Sequence, residues 1–158
     1  MKKLLYLVHR LPFPPNKGDK ISSNNMLNYF SGRWRVHLGT FVDDPDDWQY
    51  VNLVREKCED SCIVELPRRK RLTGSRFGLL TGKALSLSYY DNAQLQAWVR
   101  DSIARECPDA VLVFSGVMGR FVKDLLPAHV PVVFDAEDVD SEKWRSYAQA
   151  KRWPISWL

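Results

Sequence analysis

No apolar run in this sequence is long enough to cross a bilayer, and the chain is poor in cysteine and histidine. A membrane-spanning helix needs about 20 consecutive apolar residues. The apolar run at residues 4–8 ends at His9 and is too short even for the core of a signal peptide. The three cysteines, Cys58, Cys62 and Cys107, are odd in number and match no zinc-ligand spacing. We therefore expect reduced thiols in a cytoplasmic protein.

The sequence also lacks the glycine-rich motifs of dinucleotide-binding proteins and of Walker-type phosphate loops. Its net charge of +4 is a mild excess, which suits an anionic partner such as a sugar nucleotide or a membrane surface. No predicted helix or strand carries a dense basic stripe, so we expect no nucleic-acid partner. The 158 residues, 45% of them hydrophobic, fit one domain with a sizeable core.

Apolar runs alternate with helical patterns along the chain. Five runs are predicted strands, at residues 3–8, 36–42, 62–66, 110–114 and 131–135. Helices are predicted over about residues 19–30, 43–58 and 91–106 and after Ser115, with shorter ones at about 77–80 and from about 140. Continuous apolar strands separated by helices are typical of a parallel sheet that is covered on both faces. The sequence therefore predicts an α/β fold with one Rossmann-like, doubly wound, mainly parallel sheet.

Two details of the predicted helices concern their packing and their ends. The first helix is expected to bury one apolar side, formed by Ile21, Met26, Leu27 and Phe30. Gly32 is placed to end this helix. Asp91 is expected to cap the helix that runs to about residue 106.

The loop after the first strand carries the first candidate site residues, because doubly wound sheets bind ligands at the carboxyl ends of their strands. His9 and Arg10 lie at the mouth of this crevice, whereas His37 and His129 are interpreted as structural. The N–H groups at the start of the next helix suit a phosphate, and two lysines add positive charge. A donor-phosphate loop is thus predicted from Pro15, Asn16, Lys17, Gly18, Asp19 and Lys20. From spacing alone, an ordinary rigid connection explains this loop equally well.

Two further strand ends supply candidate residues for the crevice. Ser115 and Gly116 form a small, open turn after the fourth strand, and Asp135, Glu137 and Asp138 follow the fifth. These carboxylates suit sugar hydroxyls, which donate hydrogen bonds to them. They also suit a hard cation or the capping of a helix that begins near residue 140. Asp135, directly at the strand end, is the one we expect to be functional.

A basic segment lies between the third strand and the helix predicted from residue 91. Its cationic residues are Arg68, Arg69, Lys70, Arg71 and Arg76, with apolar neighbours at residues 77–80. Such a segment is either a solvated loop or a contact with an anionic membrane surface, which would place the protein at the inner leaflet.

Four segments of the chain resemble a known family. YLVHRLPFPPNKGDK at residues 6–20, residues 36–45, residues 85–90 and DVDSEKW at residues 138–144 are similar to a subgroup of bacterial family-four retaining glycosyltransferases. This subgroup comprises the sugar transferases associated with exopolysaccharide and PEP-CTERM gene clusters. The resemblance implies a GT-B architecture, in which two Rossmann-like domains face a cleft. Residues 1–158 would then be the N-terminal, acceptor-side domain, and the C-terminal nucleotide-sugar domain would be absent.

The resemblance implies transfer of a sugar from a nucleotide-sugar donor to a lipid-linked or glycan acceptor in exopolysaccharide biosynthesis, with no metal and no other cofactor. The isolated domain is expected to be inactive. In this family the donor-phosphate loop after the first strand would approach the donor diphosphate. Many relatives have two glycines where this chain has Gly18 and Asp19. Many relatives also have a histidine where this chain has Ser115 and Gly116, so no catalytic residue is assigned.

Two other interpretations stay open. The chain is alternatively a free-standing Rossmann-like module that binds a ligand or docks a subunit without catalysis. A sugar-nucleotide epimerase shares the GT-B shape and would also need a second domain. The aromatic tail with Trp144, Trp153 and Trp157 further predicts a homodimer of this domain.

Overall fold

The structure is a computed structural model that describes residues 1–66 and 89–136 of the chain. Along these residues the elements are β1 (Lys3–Val8), α1 (Gly18–Ser31), β2 (Arg35–Val42), a first 3₁₀ helix (Pro45–Tyr50), α2 (Val51–Arg55), β3 (Asp60–Glu65), α3 (Ala93–Glu106), β4 (Ala110–Phe114), a second 3₁₀ helix (Gly116–Phe121) and β5 (Val132–Asp135). None of the helices in these two ranges is long and apolar enough to cross a membrane. The helices predicted at about 77–80 and from about 140, and the tryptophan tail, lie outside the described residues.

The five strands form one sheet in the order β3-β2-β1-β4-β5, and every neighbouring pair is parallel. The chain moves outward from β1 to β3 and then returns to place β4 on the other side of β1. The two directions meet between β1 and β4, where a doubly wound sheet opens a ligand crevice at its carboxyl end. The predicted α/β fold with a Rossmann-like parallel sheet is therefore confirmed.

The centre of the sheet is buried on both faces because its strands are apolar at nearly every position. Successive side chains of a strand point to opposite faces. In β1, Leu5 and Leu7 accordingly pack in the layer that contains α3, whereas Leu4, Tyr6 and Val8 pack in the layer that contains α1 and α2. This double burial fixes β1 as the central strand and holds its carboxyl end in place.

The connection after β2 differs from the long helix predicted over about residues 43–58. Asp44 instead caps the first 3₁₀ helix, and its side chain accepts a hydrogen bond from the Asp46 N–H at 3.2 Å. The α-helical part that follows, α2, is only 5 residues long. The segment after Ser115 is likewise a 3₁₀ helix. At α3 the expected cap is displaced by one residue, because Asn92 and not Asp91 accepts the 2.9 Å hydrogen bond from the Leu95 N–H.

α1 buries a polar side as well as an apolar one. Its buried residues are Lys20, Ser23, Asn24 and Leu27. Burial of Leu27 was expected, but the prediction was wrong for Ile21, which is exposed. The Lys20 ammonium forms an ion pair in the interior with Asp47 of the first 3₁₀ helix. A lysine can occupy a buried position when a carboxylate compensates its charge, and hydrophobic periodicity contains no signal for such a pair.

Among the described strands, β5 is an edge of the sheet and is exposed. Val132, Val133 and Phe134 are 46%, 58% and 51% exposed, although all three are apolar. An edge strand also presents unpaired backbone N–H and C=O groups on its outer side. β5 therefore differs from β1, β2 and β4, whose side chains are mostly buried.

Candidate functional site

The loop between β1 and α1 is fastened over the carboxyl ends of β1 and β2. Leu11 is fully buried, and its backbone N–H donates a 2.7 Å hydrogen bond to the Phe41 carbonyl oxygen. Phe13 meets Tyr50 edge-on, with ring centroids 5.2 Å apart. Because the middle of the loop is anchored in this way, the polar residues at its two ends are held close together.

Asp19, in the first turn of α1, joins the two side chains that follow β1. Its Oδ2 atom accepts a 2.8 Å hydrogen bond from Arg10 Nη1 and lies 3.4 Å from His9 Nε2. The Arg10 Nε atom lies 3.0 Å from Asp43 Oδ2, within ion-pair distance but without the alignment of a hydrogen bond. Arg10 therefore bridges the start of α1 and the end of β2. We call His9, Arg10, Asp19 and Asp43 the strand-end cluster.

His9 is neutral at pH 7 because it is buried between aromatic rings. It stacks on Phe114 of β4, with centroids 6.1 Å apart and planes 9° apart, and it meets Tyr90 edge-on at 6.3 Å. Burial, followed by the nearby Arg10 charge, lowers the pKa of His9 to about 4 against the opposing effect of the two carboxylates. A neutral imidazole that donates from Nε2 towards Asp19 keeps a hydrogen-bond acceptor on Nδ1.

The strand-end cluster contains two carboxylates and one permanent cation. Burial disfavours the charged form of Asp19, but the hydrogen bond and charge of Arg10 outweigh this effect and lower the pKa of Asp19. Burial also acts against the Arg10 charge, yet the neighbouring Asp43, Tyr90 and Asp19 raise the pKa of Arg10 overall. With His9 neutral, one guanidinium faces two carboxylates. The cluster therefore has an excess of negative charge and favours hydrogen-bond donors over anions.

Two hydrogen-bond acceptors of the strand-end cluster are buried and have no partner among the residues that the structure describes. They are His9 Nδ1 and Asp43 Oδ1. Leaving a buried polar group unpaired costs about 1–3 kcal/mol, so such atoms are uncommon in native proteins and call for a water, an ion or a ligand. Both atoms are acceptors, so the group that satisfies them is a hydrogen-bond donor such as a hydroxyl. The cluster is thus chemically suited to a hydroxyl-bearing ligand.

The predicted donor-phosphate loop is exposed along most of its length. Pro15, Asn16, Lys17 and Gly18 are exposed, Asp19 is half-buried and Lys20 is buried. Lys17 occupies the N-cap position of α1 and provides no side-chain cap, while the Asp19 carboxylate in the first turn accepts a hydrogen bond from the Lys20 backbone N–H. The expected contribution of Lys20 to phosphate binding needs correction, because its ammonium is already paired with Asp47 inside the protein.

Ser115 and Gly116 lie beside the strand-end cluster, since Phe114 immediately before them stacks on His9. Ser115 has φ 79°, a backbone conformation that is strained for a residue with a Cβ and is often found at functional sites. Its N–H donates a 2.8 Å hydrogen bond to the Asp135 carbonyl oxygen. Asp135 ends β5, two strands away from β1.

The remaining predicted site residues lie outside the described residues; they are Arg68, Arg69, Lys70, Arg71, Arg76, Glu137 and Asp138. Within residues 1–66 and 89–136, no group of His, Cys, Asp and Glu side chains is arranged to hold a metal ion. The three cysteines are free thiols. Burial raises the pKa of Cys58 to about 12 and that of Cys62 to about 11, which disfavours the reactive thiolate.

A shallow groove adjoins the strand-end cluster at the carboxyl ends of β2 and β3. It is lined by Val42, Asp43, Pro45, Trp48, Glu65 and Leu66, and its volume of about 20 Å³ holds about one water molecule. Sequence reasoning missed Asp43, because the helix predicted over about residues 43–58 assigned this residue to a helix start and not to a strand-end site. One signal was available: Asp43 directly follows β2, just as His9 directly follows β1.

Fold and site together define an α/β protein with a Rossmann-like parallel sheet and a polar candidate site at the carboxyl ends of β1, β2 and β4. Comparisons of the chain with protein-family models, with curated proteins and with solved structures find no match. The function is therefore inferred from the chemistry of the site.

Proposed function

We propose that this chain is the N-terminal, acceptor-side domain of a sugar transferase of exopolysaccharide biosynthesis. The transferase moves a sugar from a nucleotide-sugar donor to a lipid-linked or glycan acceptor. The observation that carries the proposal is a pair of buried hydrogen-bond acceptors, His9 Nδ1 and Asp43 Oδ1, which have no partner within residues 1–66 and 89–136. Sugar hydroxyls satisfy such atoms, and the pair lies at the sheet edge where doubly wound proteins bind ligands.

The two ends of the site differ in charge, which supports a donor that combines a neutral sugar with an anionic diphosphate. The strand-end cluster has an excess of negative charge and suits hydroxyls. The N-terminus of α1, with the exposed Lys17 at its N-cap position, favours an anion through its N–H groups and helix dipole. We place the donor diphosphate at residues 15–18 and a hydroxyl of the donor sugar at His9 Nδ1.

The strand-end cluster binds and orients in this proposal and does not carry out the chemistry. His9 is neutral and directed through Nε2 towards Asp19, and Asp19 is engaged by Arg10. No described side chain is assigned a catalytic role. Transfer then requires the nucleotide-sugar domain, and we expect the chain alone to bind the donor without turning it over.

Ligand-observed NMR with UDP-glucose, UDP-N-acetylglucosamine, GDP-mannose and the free nucleotides UDP and GDP tests this proposal. At least one sugar nucleotide is expected to bind more tightly than its free nucleotide. Lys17→Ala is expected to weaken binding about 2- to 5-fold, since a charge at a helix end contributes about 0.3–1 kcal/mol. Asp46→Asn, at an exposed carboxylate, is the matched control and is expected to change nothing.

Turnover is measured in the same samples as release of UDP or GDP. None is expected from the chain alone, whereas the intact two-domain transferase is expected to release nucleotide in the presence of a glycan acceptor. The proposal is contradicted by turnover of the donor by the 158-residue chain alone. It is also contradicted if Lys17→Ala and His9→Gln both leave the affinity for nucleotide-sugars unchanged.

The exposed edge strand favours one alternative, a Rossmann-like module that binds a ligand or docks another polypeptide without catalysis. Val132, Val133 and Phe134 are apolar and about half exposed, and an open strand edge can pair with an added strand. Activity separates the two candidates, because only a transferase releases nucleotide when the intact protein meets its donor and acceptor.

A further inference from the structure

A row of aromatic and cationic side chains lies where α1 ends and where β1 and β2 begin. The Arg33 guanidinium carbon lies 4.1 Å from the centre of the Tyr29 ring. Tyr29 meets Phe30 edge-on with ring centroids 5.2 Å apart, and Phe30 meets Trp34 in the same way at 6.3 Å. The Lys2 ammonium lies 5.8 Å from the centre of the Trp34 ring. We call these five residues the cation–aromatic strip.

The two cations of the strip face aromatic rings and not carboxylates. Neither Lys2 nor Arg33 forms an ion pair within residues 1–66 and 89–136. An aromatic ring attracts a cation through its quadrupole but has no net charge with which to neutralise it. The ring contacts therefore position the two side chains and leave their positive charge available to a partner.

The charges next to the strip add to its positive character. Lys57 donates a 2.6 Å hydrogen bond to the neutral side-chain oxygen of Asn28 in α1. Arg35, the first residue of β2, is paired at 2.6 Å with Glu59, so these two charges compensate each other. Glu56, beside Lys57 in the sequence, offsets one of the three remaining cations. An excess of positive charge is left around the strip.

The strip is accessible and follows a convex part of the surface. Tyr29 is 55% exposed, and the cations at the two ends, Lys2 and Arg33, are exposed as well. Phe30 and Trp34 are half-buried and anchor the row to the core. A row along the outside of a helix end does not enclose a small molecule. It can instead lie against an extended surface.

The surface of an anionic bilayer has the complementary chemistry. Lipid phosphates attract lysine and arginine close to the membrane. Tyrosine and tryptophan concentrate at the same depth, where the ring leaves water and its polar atom stays hydrated. A single-stranded nucleic acid would instead stack its bases on open ring faces, whereas cations lie over the rings of Tyr29 and Trp34. The strip therefore favours a lipid surface over a nucleic acid.

We propose that the cation–aromatic strip is a contact site for the headgroup region of a bilayer that contains anionic phospholipid. Lys2, Arg33 and Lys57 pair with lipid phosphates, and Tyr29 enters the interface between headgroups and acyl chains. Because the strip lies at the amino ends of β1 and β2, the strand-end cluster at their carboxyl ends stays open to the aqueous side. The contact is separate from the basic segment at residues 68–76 and does not depend on sugar transfer.

Flotation of the whole chain with phospholipid vesicles tests the proposal. One set of vesicles contains phosphatidylcholine alone, and the other contains phosphatidylglycerol and phosphatidylcholine in equal amounts. Binding to the phosphatidylglycerol vesicles is expected to be at least about 10-fold tighter, since each cation near an anionic surface contributes about 5-fold. This binding is expected to fall between about 0.1 M and about 1 M salt, because the Debye length shortens from about 10 Å to about 3 Å.

Variants in the strip are expected to weaken the binding by different amounts. The double variant Lys2→Gln with Arg33→Gln removes two charges from exposed positions and is expected to lose about 20-fold. Tyr29→Ser loses the burial of its ring in the interface, for which we expect about 5-fold. Tyr29→Trp keeps an interfacial ring and is expected to keep the affinity.

The double variant Arg100→Gln with Arg105→Gln is the matched control. It removes the same net charge from exposed positions of α3, which packs on the other face of the sheet from α1. Its affinity is expected to stay within about 2-fold of the wild type, since charges farther from the bilayer than a Debye length are screened. A loss as large as that of the strip variant would show that net charge alone drives binding, and would overturn the contact site.

Two further results overturn the proposal. One is that the chain binds both kinds of vesicle equally or binds neither. The other is that a single-stranded oligouridine binds the wild type more tightly than the anionic vesicles do, at equal phosphate concentration, and loses this binding in the Lys2→Gln and Arg33→Gln variant. That outcome would assign the strip to nucleic acid. If the double variant fails to fold, Lys57→Gln replaces it with an expected loss of about 5-fold, and unchanged affinity there also contradicts the contact.

Discussion

Arg10 is shared between two carboxylates that belong to different elements. It donates a 2.8 Å hydrogen bond to Asp19, while its contact with Asp43 is an ion pair at 3.0 Å without hydrogen-bond alignment. The guanidinium therefore orients Asp19 more firmly than Asp43. The Arg10–Asp19 hydrogen bond ties the loop between β1 and α1 to the helix. The weaker contact with Asp43 uses only Oδ2 and leaves Oδ1 of Asp43 for a ligand.

His9→Gln is predicted to make the free energy of unfolding depend less on pH in the acidic range. The pKa of His9 is lowered to about 4 in the folded protein, against about 6.5 in the unfolded chain. Folding thus favours the neutral ring, so this contribution to stability is complete above about pH 6.5 and is lost as the pH falls towards about 4. Urea unfolding at a series of pH values measures the difference.

The wild type is expected to lose more free energy of unfolding than His9→Gln between about pH 7 and pH 4.5. His129→Gln is the matched control because His129 is exposed, and its profile should follow the wild type. Identical profiles for wild type and His9→Gln would show that His9 titrates alike in the folded and unfolded chains.

Lys20 links α1 to the first 3₁₀ helix, and its replacement by methionine is predicted to be strongly destabilising. The side chains of Lys20 and Asp47 are only 1% and 6% exposed, so Lys20→Met leaves a buried carboxylate without its cation. Removing one partner of a buried ion pair typically costs about 3–5 kcal/mol. Urea unfolding at neutral pH measures the loss.

The double variant Lys20→Met with Asp47→Leu separates charge from packing. Because it removes both charges, its stability is expected to lie close to that of the wild type or above it. Lys17→Met, at an exposed position at the start of the same helix, is expected to stay within about 0.5 kcal/mol. A double variant as unstable as Lys20→Met would mean that shape, and not charge, sets the cost.

The elements differ in how far the sequence alone predicts them. The strands were predictable because continuous apolar runs bounded by helical patterns mark a buried parallel sheet. The buried side of α1 was not, because Lys20 finds its partner Asp47 at a separation of 27 residues. The N-cap of α3 is Asn92 and not the predicted Asp91. Both residue types favour the N-cap position, so the sequence does not distinguish between neighbours.

For the whole molecule, the alternation of strands and helices predicts the α/β class, and the strand ends indicate where a site lies. His9, Arg10 and Asp19 were predicted as site residues on this basis, and the structure brings them together. Asp43 joins them only because β2 pairs with β1 in a register that places its end beside Arg10. That proximity is a property of the sheet, so the linear sequence contains no direct sign of it.

Val133→Lys in the exposed edge strand is predicted to reduce self-association without a loss of stability. Val133 is 58% exposed, so its replacement should change the free energy of unfolding by less than about 0.5 kcal/mol. An apolar edge strand can pair with a second copy of the chain, and a lysine there opposes the pairing. Light scattering over a range of concentrations measures the effect.

The average mass of the wild type is expected to rise with concentration and that of Val133→Lys to stay monomeric. Leu53→Lys is the matched control, because Leu53 is 46% exposed but lies on α2, away from β5. A wild type that is monomeric at every concentration, or a Leu53→Lys variant with the same effect as Val133→Lys, contradicts this role of β5.

The central position of β1 has a consequence for biosynthesis. One side of β1 pairs with β2, where Lys3 is opposite Arg35. The other side pairs with β4, where Leu4 is opposite Ala110, and β4 is synthesised much later than β2. Chains are made from the N-terminus, so the most buried strand of the finished sheet is for a time an open, apolar edge. An open edge pairs readily with other chains. The nascent protein is therefore most exposed to aggregation between synthesis of β2 and synthesis of β4, and this is the interval in which a chaperone would protect it best.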